Sequence, residues 1–110
     1  MTYQSRTPDP RPRAATAEEA DALIMAALSA LDSLEPVIEA ETIHLKEGHL
    51  NKALELGVQK NPAAQRYQRA LQDIKANAIA LGRFAPPSLS VLKERHQTFS
   101  ELLSLNMAVL

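Results

Sequence analysis

Leu89-Ser-Val-Leu-Lys-Glu-Arg-His-Gln-Thr-Phe-Ser-Glu-Leu-Leu-Ser-Leu-Asn-Met-Ala-Val-Leu110 is the stretch that decides the fold class. Within it Leu89, Leu92, His96, Phe99, Leu103, Asn106 and Leu110 follow one another in alternating steps of three and four. That spacing returns one residue per turn to one side of an α-helix, whereas a strand alternates every second residue. Leu102, Leu105 and Val109 widen the stripe, so more than one surface is expected to be contacted. Neither glycine nor proline nor a basic last turn closes the run, although these are the usual stop signals. Contiguous exposed apolar surface marks a contact site. The helix is therefore expected to pack into a bundle, meet a partner, or continue in a longer chain.

Upstream, Gly82 and Pro86-Pro87 separate this helix from the one before it, and Ser88 is its expected N-cap. The preceding pattern runs through Leu50, Leu54, Gly57, Asn61, Ala64, Tyr67, Leu71, Ile74, Ala78 and Leu81. Asn61-Pro62 interrupts it, since Asn caps well and Pro suits the first helical position. The expectation is a short helix over 50–59 and a longer one over 62–81. Earlier still, Thr16 and Glu19 form a capping box, and Glu18, Glu19 and Asp21 put negative charge at the positive end of a helix dipole. Ile24, Leu31, Ile38 and Leu45 then recur every seven residues, the repeat of a helix–helix seam. Pro36 predicts a kink near Asp32–Glu35, and Gly48 the stop. Residues 1–15, with Pro8, Pro10 and Pro12, carry too little apolar surface to offset ordering entropy and read as a disordered tail. The whole predicts an all-α, elongated antiparallel bundle of three main helices over 16–110, the second kinked or split near Pro62.

Composition narrows function. The 110 residues suit one domain, and aromatics at 4% favour helices packed through Leu, Ile and Ala. Without cysteine there is no thiol chemistry, disulfide or thiolate metal site. A net charge of -1 argues against a dedicated nucleic-acid binder. The basic N-terminal residues Arg6, Arg11 and Arg13 precede no apolar stretch, so no secretory signal is expected. No apolar run reaches the roughly 18 residues of a membrane span. A cytoplasmic location is expected.

Charge is segregated along the chain. Between 16 and 58 the acids Glu18, Glu19, Asp21, Asp32, Glu35, Glu39, Glu41, Glu47 and Glu55 face only Lys46 and Lys52. Between 60 and 95, Lys60, Arg66, Arg69, Lys75, Arg83, Lys93 and Arg95 outnumber Asp73 and Glu94. An antiparallel hairpin whose acidic and basic arms attract accounts for this pattern. A basic face for an acidic partner or RNA is the alternative.

Chemistry-bearing clusters are sparse. Glu41-Thr42-Ile43-His44 has the Glu-x-x-His spacing of di-iron bundles, but no second such pair exists. His44 and His49 flank Gly48, and a metal there would need a third ligand that spacing does not identify. His96, on the seam, is expected to be a bundle residue with one polar partner. No serine has a motif-placed base, and no glycine-rich phosphate loop is present. Neither catalytic residues, cofactor nor metal are expected. Asn106 is the sharpest oddity: a polar residue on an apolar seam either fixes register or bonds a partner.

Three stretches in order resemble the FlgN-like flagellar export chaperones, in their alphaproteobacterial form. They are Leu34-Glu35-Pro36-Val37-Ile38-Glu39-Ala40-Glu41 with Leu45-Lys46-Glu47-Gly48-His49-Leu50; Gln65-Arg66-Tyr67 with Leu71 to Asn77; and Leu89 through His96, Phe99, Leu103, Asn106 and Val109-Leu110. The resemblance covers roughly residues 20–110. It implies a non-enzymatic, cytoplasmic chaperone of type III export that binds hook–filament junction subunits, prevents their early assembly and delivers them to the export apparatus. It places client binding on the C-terminal helix, at Leu92, Phe99, Leu102, Leu103, Leu105, Asn106 and Val109. Family members continue past the Asn-x-x-Val-Leu position, which implies a binding segment that extends beyond Leu110. A structural module or homodimer pairing this last helix with itself is the main alternative. A metal-binding bundle using Glu41 and His44 is a weaker one.

Overall fold

A computed structural model describes residues 12–110. Five helices follow in order: α1 (Ala17–Lys46), α2 (Leu50–Glu55), α3 (Gly57–Ala76), α4 (Ala78–Phe84) and α5 (Pro86–Val109). No strand occurs among the described residues. The molecule measures 58 × 34 × 19 Å, and the 30 residues of α1 account for most of its length at about 1.5 Å per residue. The disorder expected of residues 1–15 falls mainly on residues 1–11, outside the described residues.

α1 begins as its sequence predicts. The Glu19 N–H donates to Thr16 Oγ1 at 3.1 Å, while the Glu19 carboxylate reaches back to the Ala15 N–H at 2.9 Å. This satisfies two donors at the start of the helix. Pro36 lies inside an unbroken helix. Gly48 ends it at φ +77°, a left-handed conformation that costs glycine nothing.

The return arm breaks elsewhere than predicted. Pro62 sits inside α3, and the interruption falls at Leu56, whose carbonyl accepts from both the Gln59 and Lys60 N–H groups. Such sharing between i+3 and i+4 donors tightens the chain at a helix start. Pro62 is then only six positions into α3, early enough that little of the backbone ladder is lost. A second interruption comes at Asn77. Its buried side chain accepts from the Ala14 N–H at 2.8 Å and donates to the Pro12 and Asp73 carbonyls at 2.9 and 2.8 Å. An amide that bonds nearby backbone competes with the helix ladder, which is why the chain turns there. Gly82 is internal to α4. α5 starts two residues before Ser88, with proline in its first turn, and Ser88 instead donates to Asp21 at 2.7 Å.

α1 is the spine. Its buried face carries Ala20, Ile24, Ala27, Leu31, Leu34 and Ile38, all at most 3% exposed. Each large member contributes roughly 1.5–3 kcal/mol by leaving water. α3 packs on one flank and α5 on the other. Contacts between Ala14 and Asn77 and between Glu41 and Lys60 show that α3 runs antiparallel to α1. Those of Asp21 with Ser88, Asp32 with Arg95 and Glu41 with Asn106 show that α5 runs parallel to it. The chain therefore goes up, down and up.

Candidate functional site

α5 has two flanks with different chemistry. Toward α1 the seam is closed. Leu92 and Phe99 are buried in the common core, and Leu102 and Leu103 pack against it partly buried. Asn106 is fully buried, its amide donating to Glu41 Oε1 at 2.8 Å and to Thr42 Oγ1 at 2.9 Å. The Thr42 hydroxyl donates to the Ile38 carbonyl at 2.9 Å, and Lys60 Nζ donates to the same Glu41 oxygen at 2.8 Å. Glu41 thus ties α1 to α3 and α5 at one point. Because the amide meets its partners at only one register, Asn106 sets the alignment of the parallel pair. This answers which role Asn106 plays within the chain.

Further along the same seam, Arg95 bridges Asp32 at 2.9 Å and Glu35 at 3.0 Å. The hydrogen bond that it donates to Asp32, more than any other influence, holds the guanidinium above its ordinary pKa. Lys60 with Glu41 and Arg95 with its two acids realise the attraction that the segregated charges suggest.

Toward α3 the flank stays open. No Cα of α3 comes within 8 Å of a Cα of α5. Aromatic side chains span the gap: Tyr67 stands edge-on to Phe99 with centroids 5.3 Å apart, and its hydroxyl lies 2.6 Å from His96 Nδ1. His96 therefore has the single polar partner expected of it. Burial first, and the Glu35 carboxylate second, push the Tyr67 hydroxyl up to about 12, against a lowering by Arg95.

Beside this strut lies a groove of about 420 Å³ lined by Leu71, Ile74, Ala78, Leu89 and Leu92, with Lys75, Lys93 and His96 at its margins. At the far end of the bundle Leu45, Leu50, Leu54 and Leu110 line a second apolar recess of about 300 Å³. Leu54 is 77% exposed and Leu110 72%.

The residues marked in the sequence for partner binding thus divide. Leu92, Phe99 and Asn106 are buried within the chain, although Leu92 also forms part of the groove wall. Leu102, Leu103 and Val109 are half-buried, and Leu105 is exposed. Sequence reasoning missed the α3 and α4 wall, Leu71, Ile74 and Ala78. Their spacing marks an apolar face, but only the separation of α3 from α5 shows that part of this face is uncovered. No known family pattern, characterised protein or solved structure matches the chain.

Proposed function

We propose that this protein is a non-enzymatic chaperone that holds an amphipathic helix of its client in the groove between α3 and α5. The observation that carries this reading is the apolar groove itself, lined by Leu71, Ile74, Leu89 and Leu92 together with the exposed Lys75 and Lys93. An amphipathic helix laid into such a groove is a standard mode of recognition. Here it would add a fourth helix to an arrangement of three main ones, counting α2, α3 and α4 as a single interrupted return arm. The lysine margins suit a helix with acidic residues flanking its apolar face.

The resemblance of the three sequence stretches to FlgN-like proteins supplies the client class: hook–filament junction subunits of the flagellum, held in the cytoplasm and passed to the export apparatus. No helix among the described residues is long and apolar enough to cross a membrane, in keeping with that setting. Titration calorimetry of the chain against purified hook–filament junction subunits tests the reading. The expected result is a saturable one-to-one complex, weakened at least tenfold by Leu89→Asp in a variant that keeps its helicity. Failure of every such subunit to bind overturns the assignment of client.

A homodimer is the second reading, favoured by the separate apolar end at Leu50, Leu54 and Leu110. Light scattering decides it: a molecular mass that stays monomeric as concentration rises removes it.

A further inference from the structure

The turn between α1 and α2 carries a cluster that the chaperone reading does not use. Gly48, at φ +77°, folds the chain back so that the His49 N–H donates to the His44 carbonyl at 2.8 Å. The two imidazole rings, separated in sequence by the turn, come to lie with centroids 5.7 Å apart. Glu47 joins them, its Oε1 3.5 Å from His49 Nδ1. One ligand atom from each of His44, Glu47 and His49 lies within 4.8 Å of the other two. Glu47 is the third ligand that spacing alone does not identify.

We propose that His44, Glu47 and His49 form a binding site for a single divalent transition-metal ion of the zinc type. Two imidazoles and one carboxylate are a donor set that zinc accepts, leaving a fourth position to water. Bonds of about 2.0–2.2 Å to such an ion bring tetrahedral donors to roughly 3.4 Å from one another. The present separations need a contraction of about 1.4 Å at most, from the 4.8 Å limit. The side chains of His49 and Glu47 are 48% and 57% exposed, so rotation of these two groups supplies that movement without disturbing the core.

Two further observations point the same way. His44 Nδ1 is buried and has no hydrogen-bond partner among the described residues. Buried polar atoms ordinarily have one, so this imidazole is not committed through Nδ1 to any described protein group. The cluster also lies at the C-terminal end of a 30-residue helix, where the carbonyl dipoles favour positive charge. Glu41, one turn earlier on α1, is already paired with Lys60 of α3.

A bound ion joins the last turn of α1 to the first residue before α2, so it stiffens the elbow. The test uses the full chain without a histidine tag, titrated with zinc chloride in a calorimeter and with cobalt chloride in a spectrophotometer. The expected result is one equivalent per chain, the visible absorption of a cobalt ion in a low-coordinate nitrogen and oxygen site, and slower hydrogen exchange at residues 45–52. His49→Ala and Glu47→Gln, both altering exposed side chains, should each weaken binding at least tenfold while circular dichroism stays unchanged. Absence of saturable binding overturns the proposal. So does binding that both variants leave intact. Neither measurement involves a client, so its outcome is independent of the chaperone reading.

Discussion

The two flanks of α5 are built from the same heptad-like sequence and end up doing different things. Against α1, apolar residues meet apolar residues and a buried polar knot fixes the alignment. Against α3, two aromatic residues and a histidine hold the helices apart and leave a groove. Amphipathic width is therefore not the same as availability. A stripe on two sides of a helix becomes a contact site only where the neighbouring backbone stays too far away to cover it.

Breaking the closed flank should have the largest effect. Leu31 is fully buried in the middle of the α1 face. Leu31→Ala should lower unfolding free energy by about 2–5 kcal/mol, read from chemical denaturation, because it removes apolar contact and leaves a cavity. Next comes the polar knot. Asn106→Leu keeps the branched shape but leaves the buried Glu41 carboxylate with Lys60 as its remaining partner. A loss of about 1–3 kcal/mol is expected in the same measurement. A neutral or stabilising result would mean that the amide contributes alignment alone.

The strut on the open flank should matter less. Tyr67→Phe removes the hydroxyl bonded to His96 and should cost about 0.5–1.5 kcal/mol, since His96 is exposed and water takes the vacated place. It has a pH signature as well. An unfolded tyrosine ionises near pH 10, whereas folded Tyr67 holds its proton to about 12. Below pH 10 this contribution to stability is complete. Between 10 and 12 the unfolded chain loses a proton that the folded chain keeps, so stability falls as pH rises. The variant should show a shallower alkaline decline than the parent in thermal melts. The smallest effect belongs to the rim of the closed flank. Arg95→Ala should cost about 0.5–1 kcal/mol, because Asp32 is well exposed and water screens that pair, while the less exposed Glu35 loses its cationic partner.

Much of the fold was legible in the sequence, for identifiable reasons. Thr16 with Glu19, the heptad from Ile24, and Gly48 are local signals that nothing in the tertiary structure opposes. The breaks in the return arm were not legible. Asn61-Pro62 looks like a helix start, yet the chain resumes at Gly57, where a shared carbonyl already tightens the turn. Asn77 looks like any helix-surface amide until it meets Pro12 and Ala14, more than sixty residues away in sequence. The site was half legible. The sequence shows that α5 has surplus apolar residues, but not that Phe99 and Asn106 are buried within the fold while Leu89 and Leu92 line the groove. Nor can spacing show that a glycine turn brings His44, Glu47 and His49 together.

The proposed function requires that the groove between α3 and α5 receive a client helix while the seam between α1 and α5 stays shut. Hydrogen-exchange mass spectrometry of the full chain, with and without a saturating hook–filament junction subunit, tests it most directly. The expected result is added protection at residues 71–78 and 89–96, with the α1 segment 24–38 unchanged. Protection confined to the recess at Leu50, Leu54 and Leu110, or faster exchange along 24–38 as the seam opens, would contradict it.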